Sequence, residues 1–291
     1  MVGFTRRLER HFPGIRKRKQ YWTQRRRLKH CDIVIVAQAK SGRTWLNVML
    51  SHVTHQIYGV GEHLLIGDRR VEHRYPKIPR VLFTHDNARL WGRPLGSSED
   101  YRHKKVVLLV RDPRDVAVSL YFHRNRKLAD PSRRSKPHHQ SIFERVRKRN
   151  LPQATAFLER WVQNIENLDH VFVLRYEDLR LHPENELSRL LEFLGIDAGD
   201  ECVRRAVAFA DFDNMRNLER EGRVASGKLR TFDPTNPNAF KVRRGKVGGY
   251  RDYFGVEEIS ALDAVVARAQ LQAFGYGAMT TNRVCAGREI A

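Results

Sequence analysis

Cysteine is scarce in this 291-residue chain, and long apolar runs are absent. The three cysteines, Cys31, Cys202 and Cys285, lie far apart and form no C-x-x-C pair. They therefore indicate neither a disulfide framework nor a cysteine zinc site, and a reducing compartment is their simplest context. Because no apolar run reaches about 18 residues, we expect no transmembrane helix. The charged N-terminus lacks the apolar segment of a secretory signal, so we predict a cytoplasmic protein.

Acidic residues are also few, with 33 Asp and Glu against 54 Lys and Arg, which gives a net charge of +21. Residues 1–30 hold eleven basic residues against one acidic residue, and residues 123–149 hold ten against two. This charge suits an anionic cofactor, lipid, polysaccharide or nucleic acid, or a solvated basic surface. Peripheral contact with the inner face of an anionic membrane is left open. Few aromatic residues interleave with the charges at 123–149, so we expect no nucleic-acid partner.

The apolar pattern predicts an α/β fold. Continuous apolar runs predict strands buried on both faces at 33–37, 80–84, 105–110 and 171–175. Helical spacing predicts helices at 43–57, 114–128, 154–167, 184–194, 200–209 and 257–273. This alternation predicts three layers, with a central parallel sheet and helices on both faces.

Several segments lack a regular pattern. Residues 59–78 and 86–103 are predicted to be irregular, 129–153 to be a mobile surface segment, and 216–240 to be a lid or long loop. No linker divides the chain, so we predict a basic N-terminal extension over 1–30 and one domain over 31–291.

A short cationic loop, Lys40-Ser41-Gly42-Arg43-Thr44, lies between the first predicted strand and a helix. This arrangement points backbone N–H groups and a helix N-terminus at an anion. The spacing differs from the G-x-x-x-x-G-K-[ST] loop that binds nucleoside triphosphates. We therefore expect a phosphate-like group to be held here by a different cradle.

Two further segments add anion-binding groups. Arg111 ends a predicted strand, Asp112-Pro113 is a good helix N-cap and first helical residue, and Ser119 lies about two turns into that helix. Arg111 can fork onto a phosphate while Ser119 adds a hydroxyl. The Gly-rich segment Lys241–Tyr250 is also basic. Two anion sites and a basic flap predict a ligand with two separated phosphate groups.

These motifs, in this order, resemble the sulfotransferase superfamily, which uses 3′-phosphoadenosine 5′-phosphosulfate (PAPS). Lys40–Trp45 is similar to its 5′-phosphosulfate loop and Arg111–Ser119 to its 3′-phosphate motif. Arg243–Tyr250 is similar to its R-K-G-x-x-G-D-W loop, with Gly249 in place of Asp and Tyr250 in place of Trp. Arg175–Leu179 matches its Y-E-D stretch. The resemblance implies a P-loop-NTPase-like fold and PAPS as the sulfuryl donor, without a metal.

The resemblance also implies roles for single residues. Lys40 is the catalytic cation near the leaving oxygen, and Ser119 assists. His85, in a Thr-His pair after a strand, is the candidate base, with Asp86 in reserve and Phe83 where the family often has Lys. The implied cofactor-binding residues are Lys40, Ser41, Gly42, Arg43, Thr44, Trp45, Arg111, Ser119, Tyr176, Phe212, Arg243, Arg244 and Gly245.

Some of these roles have open alternatives. Arg43 stands where cytosolic vertebrate members often have a hydroxyl residue, and it either contacts a phosphate or faces solvent. Trp45 either packs on adenine or is a core aromatic. Tyr176 either stacks on or hydrogen-bonds the adenine, or belongs only to a turn that caps a helix.

The sequence therefore predicts a PAPS-dependent sulfotransferase. It would transfer a sulfuryl group to a hydroxyl, or an amine, of a small-molecule, lipid or glycan acceptor. The alternatives are a nucleotide or small-molecule kinase of related fold, a basic nucleic-acid-binding protein, and an inactive relative that binds nucleotide. A kinase would need a Walker-type loop, which is absent. The acceptor and the oligomeric state are not predicted.

Overall fold

Parallel strands form the sheet on which the described part of the chain is built. The computed structural model describes residues 13–86, 95–128, 141–224, 229–231 and 233–277. Its strands are β1 (Ile33–Ala37), β2 (Val81–Thr84), β3 (Lys105–Val110) and β4 (His170–Arg175). They pair in the order β2-β1-β3-β4, all in parallel. Their carboxyl ends therefore meet along one edge of the sheet.

The α-helices connect these strands and cover both faces of the sheet. They are α1 (Pro13–His30), α2 (Arg43–Tyr58), α3 (Arg69–Arg74), α4 (Ser98–Tyr101), α5 (Pro113–Leu128), α6 (Ile142–Arg145), α7 (Leu151–Asn164), α8 (Tyr176–Leu181), α9 (Pro183–Leu194), α10 (Asp200–Phe209), α11 (Phe212–Glu221) and α12 (Val256–Arg268). A π-helical turn, Val146–Asn150, joins α6 to α7. Short 3₁₀ turns lie at Ile165–Asn167, Pro237–Ala239, Gly249–Tyr253 and Gln272–Phe274.

Alternate strand residues enter two separate hydrophobic cores. Ile33 and Ile35 of β1 pack with α2, α9 and α10 on one face of the sheet. Val34 and Val36 pack with α5, α7 and α12 on the other face. This period-of-two alternation is expected of a sheet that is buried on both sides. The three-layer α/β fold predicted from the sequence is confirmed.

Short helices occupy parts of the segments predicted to be irregular, so those predictions are wrong there. Helix α3 lies within 59–78 and starts at Asp68, whose side chain accepts from the Arg70 amide at 2.9 Å. Helix α4 lies within 86–103 and starts at a capping box on Ser97. These helices are too short to show a period in their apolar residues. Their N-cap residues, Asp68 and Ser97, are the sequence signal that would have indicated where they begin.

The prediction of a mobile surface segment is wrong over residues 141–153. Val146, Asn150 and Leu151 are buried there, and the Asn150 side chain donates to the Ala117 carbonyl at 2.9 Å. The stretch 129–140 lies outside the described residues. The predicted lid at 216–240 is also wrong at its start, because α11 continues to Glu221.

Helix α1 begins at Pro13, which the sequence analysis associated with the basic N-terminal extension. Its last turns join the folded core, since Leu28 is buried and Arg27 pairs with Glu72 at 2.5 Å. Trp22 is exposed, and residues 1–12 lie outside the described part of the chain. Among the described helices, none is both long enough and apolar enough to cross a membrane.

The two-core arrangement predicts a large loss of stability for Leu108→Ala. Leu108 lies at the centre of β3 with no exposed surface, so truncation should lower the free energy of unfolding by roughly 2–5 kcal/mol. Leu181→Ala is the matched control, because that side chain is 71% exposed and should cost less than about 0.5 kcal/mol. Urea unfolding followed by circular dichroism measures both variants. Equal losses would contradict the packing described here.

Candidate active site

A cavity of about 380 Å³ lies at the carboxyl edge of the sheet. Its walls come from the loop after β1, the start of α5, α8, α11 and the segment 241–250, which we call the basic loop. Every cofactor-binding residue predicted from the sequence lines this cavity except Ser41, and His85 lines it as well. The structure therefore brings together residues that are up to about two hundred positions apart.

The loop after β1 is held in a tight left-handed turn. Lys40 has φ 81° and Gly42 has φ 92°. A Cβ atom on Gly42 would lie 2.6 Å from Cδ2 of Tyr176, so a glycine is needed for space as well as for φ. Ser41 is fully buried, and its Oγ has no hydrogen-bond partner among the described residues. This turn fixes where α2 begins.

Helix α2 begins at Arg43 with its amino end on the cavity. The Gly42 carbonyl accepts from the Trp45 amide at 2.8 Å. The first amides of a helix have no acceptor within the helix and carry its positive dipole end. Arg43 and Thr44 both line the cavity at this point. The start of α2 therefore has the backbone geometry that the predicted anion cradle requires.

Arg111 connects this loop to the basic loop. Its Nη1 donates to the Lys40 carbonyl at 3.2 Å, and its Nη2 donates to the Lys246 carbonyl at 3.0 Å. The guanidinium carbon lies 4.0 Å from the centre of the Tyr176 ring. Its Nε is buried and has no hydrogen-bond partner among the described residues. An anion in the cavity would supply the partner that this N–H lacks.

Buried carboxylates hold both ends of the basic loop. Asp115 accepts from the amides of Gly248 and Tyr250, each at 2.9 Å, and lies 3.5 Å from Nη2 of Arg111. Burial raises the pKa of Asp115, although Arg111 and the two amides oppose this shift. Glu219, which is fully buried, accepts from the Val242 amide at 2.9 Å. Neither carboxylate was predicted from the sequence, but the spacing of Asp115, one turn after Arg111, was a usable signal.

The arginines of the basic loop are also held by neighbours. Arg243 stacks 4.0 Å from the Phe122 ring centre and donates to the Tyr253 hydroxyl. Arg244 pairs with Asp252 and also donates to Tyr253 at 3.1 Å. Burial raises the pKa of Tyr253, but hydrogen bonds from these two arginines outweigh burial and lower that pKa below its ordinary value. The loop is therefore an ordered cationic wall.

An aromatic corner closes the cavity on the side of α8 and α11. The Trp45 and Tyr176 rings meet edge to face at 5.8 Å, and the Trp45 Nε1 donates to the Ala210 carbonyl at 2.7 Å. Phe212 packs against Gly245, where a Cβ would lie 3.2 Å from the ring. Trp45 both lines the cavity and packs against the core.

His85 presents one ring nitrogen as a proton acceptor. Its Nδ1 lies 2.7 Å from the Ala37 carbonyl, and because a carbonyl only accepts, Nδ1 carries the proton and Nε2 keeps its lone pair. Burial lowers the pKa of His85 to about 3, and the charges of Arg43, Lys241 and Lys40 also contribute. The imidazole is therefore neutral at neutral pH, which is the form that a general base requires.

Asp86, the reserve base, does not line this cavity. It is buried, and its carboxylate accepts from Arg160 at 2.8 Å and from the Tyr101 hydroxyl at 3.1 Å. The Leu95 amide also donates to it, at 2.9 Å. This placement favours His85 over Asp86 as the residue that would accept a proton in the cavity.

The fold and cavity define a class of protein, an α/β protein with a cavity lined by cationic side chains at the carboxyl edge of a parallel sheet. Comparison with known families matches the sulfotransferase domain over residues 30–275. The chain therefore belongs to the sulfotransferase family, which is a family of transferases, and the resemblance found in the sequence is confirmed.

Individual relatives agree with this assignment. Cytosolic sulfotransferase 12 of Arabidopsis thaliana is 27% identical over 266 residues, which covers 82% of this chain and 77% of the relative. Among solved structures, mouse sulfotransferase SULT7A1 complexed with PAP has a TM-score of 0.53 at 22% identity and covers 82% of this chain and 83% of its own. Retinol dehydratase in complex with androsterone and inactive cofactor PAP has a TM-score of 0.59 at 18% identity. The match covers 91% of this chain and 88% of the retinol dehydratase chain. Both structures share the fold.

The contact between Gly42 and Tyr176 predicts that Gly42→Ala is more destabilising than Gly59→Ala. Both glycines have a left-handed backbone, but a Cβ on Gly59 would meet nothing within 4 Å. Each alanine should therefore cost about 1–2 kcal/mol for its φ, and Gly42→Ala should cost at least about 1 kcal/mol more for the clash. Chemical denaturation of the two variants measures the difference. A smaller loss for Gly42→Ala than for Gly59→Ala would refute the contact.

The buried His85 predicts a specific loss of stability in acid. Its pKa is about 3 in the folded protein against an ordinary value of 6.5, so between these values only the unfolded chain binds the proton. The stability that the neutral ring contributes is complete above pH 6.5 and is lost as pH falls toward 3. His85→Gln should therefore lose less stability over this window, by at most about 1.4 kcal/mol per pH unit.

The control for this acid effect is His73→Gln, because His73 is exposed on α3. Urea unfolding at pH 7, 6, 5 and 4 gives the slopes for the wild-type protein and both variants. Parallel slopes for wild type and His85→Gln would show that His85 is not buried in its neutral form.

Proposed function

We propose that this sulfotransferase takes a sulfuryl group from PAPS and transfers it to a hydroxyl or amine of an acceptor. The observation that carries the proposal is the convergence of the loop after β1, Arg111 and the basic loop on one cavity. Two anion-binding regions on that cavity suit a donor with phosphate groups at two ends. The solved relatives SULT7A1 and retinol dehydratase contain PAP, the desulfated form of this donor.

The cavity's charge supports the fit to PAPS. Among the described residues that line it, Asp115 is the only carboxylate, against these cationic side chains: Lys40, Arg43, Arg111, Arg180, Lys241, Arg243, Arg244 and Lys246. PAPS carries about four negative charges, since a phosphate monoester alone contributes nearly two. The unpartnered Nε of Arg111 adds a donor directed at a ligand. When bound, PAPS would supply the sulfuryl group and a phosphate leaving group.

Each part of the cavity has a role in this proposal. Lys40, Thr44 and the first amides of α2 would hold the 5′ end of the donor. The residues that would hold the 3′-phosphate are Arg111, Ser119, Arg243, Arg244 and Gly245. Trp45, Tyr176 and Phe212 would enclose the adenine. Asp115 and Glu219 would act indirectly, by fixing the basic loop.

His85 and Lys40 would carry the chemistry. Nε2 of His85 would accept the proton of the attacking hydroxyl, while the bond to the Ala37 carbonyl keeps the ring in the required tautomer. The Lys40 ammonium would stabilise negative charge that develops at the leaving oxygen. Positioning by the rigid strand ends would contribute the rest of the rate enhancement.

The name of the Arabidopsis relative places that protein in the cytosol, and we propose a cytoplasmic location here too. Retinol dehydratase binds androsterone, a small steroid, which favours a small-molecule acceptor over a glycan. A kinase of related fold is less well supported, because the loop at 40–44 lacks the Walker spacing. Membrane contact through the basic N-terminus stays a prediction.

The catalytic assignment predicts that Lys40→Ala and His85→Gln lower turnover while the fold is kept. Wild-type protein should release PAP from PAPS in the presence of a panel of phenols and alcohols. Loss of the Lys40 charge should reduce kcat roughly 10²–10³-fold, and loss of the His85 base should reduce it roughly 10²–10⁴-fold. The His85 variant should keep its affinity for PAP, which calorimetry would measure.

Lys77→Ala is the control for these two variants, since Lys77 is exposed and does not line the cavity. The proposal would be refuted if PAP failed to bind the wild-type protein, or if Lys40→Ala turned over normally. Stronger stabilisation of the fold by ATP than by PAP would favour the kinase alternative instead.

A further inference from the structure

Among the described residues that line the cavity, Arg43 differs from the other cations because its guanidinium has no partner. It is the first residue of α2 and lines the cavity beside His85. Within the described part of the chain, its guanidinium makes no hydrogen bond or ion pair. Burial alone lowers the pKa of Arg43, to about 10, and no acidic neighbour offsets this effect. A largely enclosed cation without a counter-charge is costly to the folded protein.

The arginines at the other end of the cavity are engaged. Arg111 bonds two carbonyls and stacks on Tyr176. Arg243 and Arg244 both donate to Tyr253, and Arg180 lies 5.4 Å from the Trp45 ring. These groups belong to the walls that would hold the adenine and the 3′-phosphate. Among the described residues, Arg43 forms no hydrogen bond, ion pair or ring contact with them.

Arg43 lies at the end of the cavity where the acceptor would bind, because its helix follows a strand that is next to the strand before His85. His85 follows β2, and Arg43 follows the loop after β1, the strand that pairs with β2. Arg111 follows β3, on the other side of β1. The acceptor's nucleophilic oxygen must reach Nε2 of His85, so a cation beside His85 faces that molecule. The Arg43 charge is also the largest Coulombic influence on His85.

We propose that Arg43 binds an anionic group of the acceptor, so that the preferred acceptor is an alcohol or phenol that also carries a carboxylate, sulfate or phosphate. This inference rests on the proposed function and adds the acceptor's chemical class to it. A guanidinium forks onto each of these groups through two parallel N–H···O bonds. The neutral His85 beside it then accepts the proton of the hydroxyl.

Binding to PAP-loaded protein tests this without a need for turnover. The probes are 2-naphthol, 6-hydroxy-2-naphthoate and 6-hydroxynaphthalene-2-sulfonate, which share one ring system and differ in charge. Calorimetry with saturating PAP should show wild-type protein binding at least one charged probe roughly tenfold more tightly than 2-naphthol. The charged probe that binds more tightly identifies a carboxylate or a sulfate-like group as the preferred anion.

Two variants locate the effect. Arg43→Gln should bring the affinities for charged and neutral probes to within about twofold, while its Kd for PAP changes less than about threefold. Arg43→Lys should keep part of the preference, because it keeps the charge but not the fork. Arg70→Gln is the control, because Arg70 is 58% exposed and does not line the cavity, and it should keep the full preference for the charged probe.

Three outcomes overturn the inference. If PAP-loaded wild-type protein binds neither charged probe more tightly than 2-naphthol, the acceptor class is wrong while the donor assignment stands. If Arg43→Gln weakens PAP tenfold or more, Arg43 belongs to the donor site instead. If PAP does not bind the wild-type protein at all, the proposed function fails and this inference fails with it.

Discussion

The ring of Tyr176 is the contact on which the site depends, because three distant segments meet on it. Gly42 approaches one side of the ring so closely that no Cβ would fit. The guanidinium of Arg111 stacks on the ring at 4.0 Å. Its hydroxyl donates to the Gly245 carbonyl at 3.2 Å. Tyr176 begins α8 directly after β4, so the sheet fixes the position of its ring. The ring in turn positions the three segments that contact it.

Electrostatics complete what this packing begins. The many cations of the cavity wall repel one another, and this repulsion would push the basic loop away from the other walls. Buried Asp115 and Glu219 prevent this, because their oxygens accept main-chain amides at either end of the loop. These hydrogen bonds hold the main chain of the basic loop in place, so its guanidinium groups stay directed at the cavity. This order would preorganise the cavity for the polyanionic donor that we propose.

Local chemistry explains which features could be predicted from the sequence. The strands were predicted because they are buried on both faces and read as continuous apolar runs. The helix start at Asp112-Pro113 was predicted from cap chemistry, and the Arg114 amide does donate to the Asp112 side chain, at 2.8 Å. Lys40, Arg111 and the basic loop were predicted to share a ligand because each segment carries anion-binding groups and their order resembles the motifs of the family.

Other features depend on contacts that no local pattern contains. Asp115 binds amides 133 and 135 positions away, so its role as a clamp appears only in three dimensions. The enclosure of Arg43 beside His85 depends on the pairing of β1 with β2. The turn that begins at Val146 was predicted to be mobile because its charges outnumber its apolar residues, yet Val146 and Leu151 are buried.

A crystal structure of the protein with PAP would show directly how the cavity holds the donor. We expect one binding mode, with the 5′-phosphate against Lys40 and the first amides of α2, the 3′-phosphate against Arg111 and the basic loop, and the adenine beside Tyr176. PAP bound in the opposite direction, or outside this cavity, would contradict it.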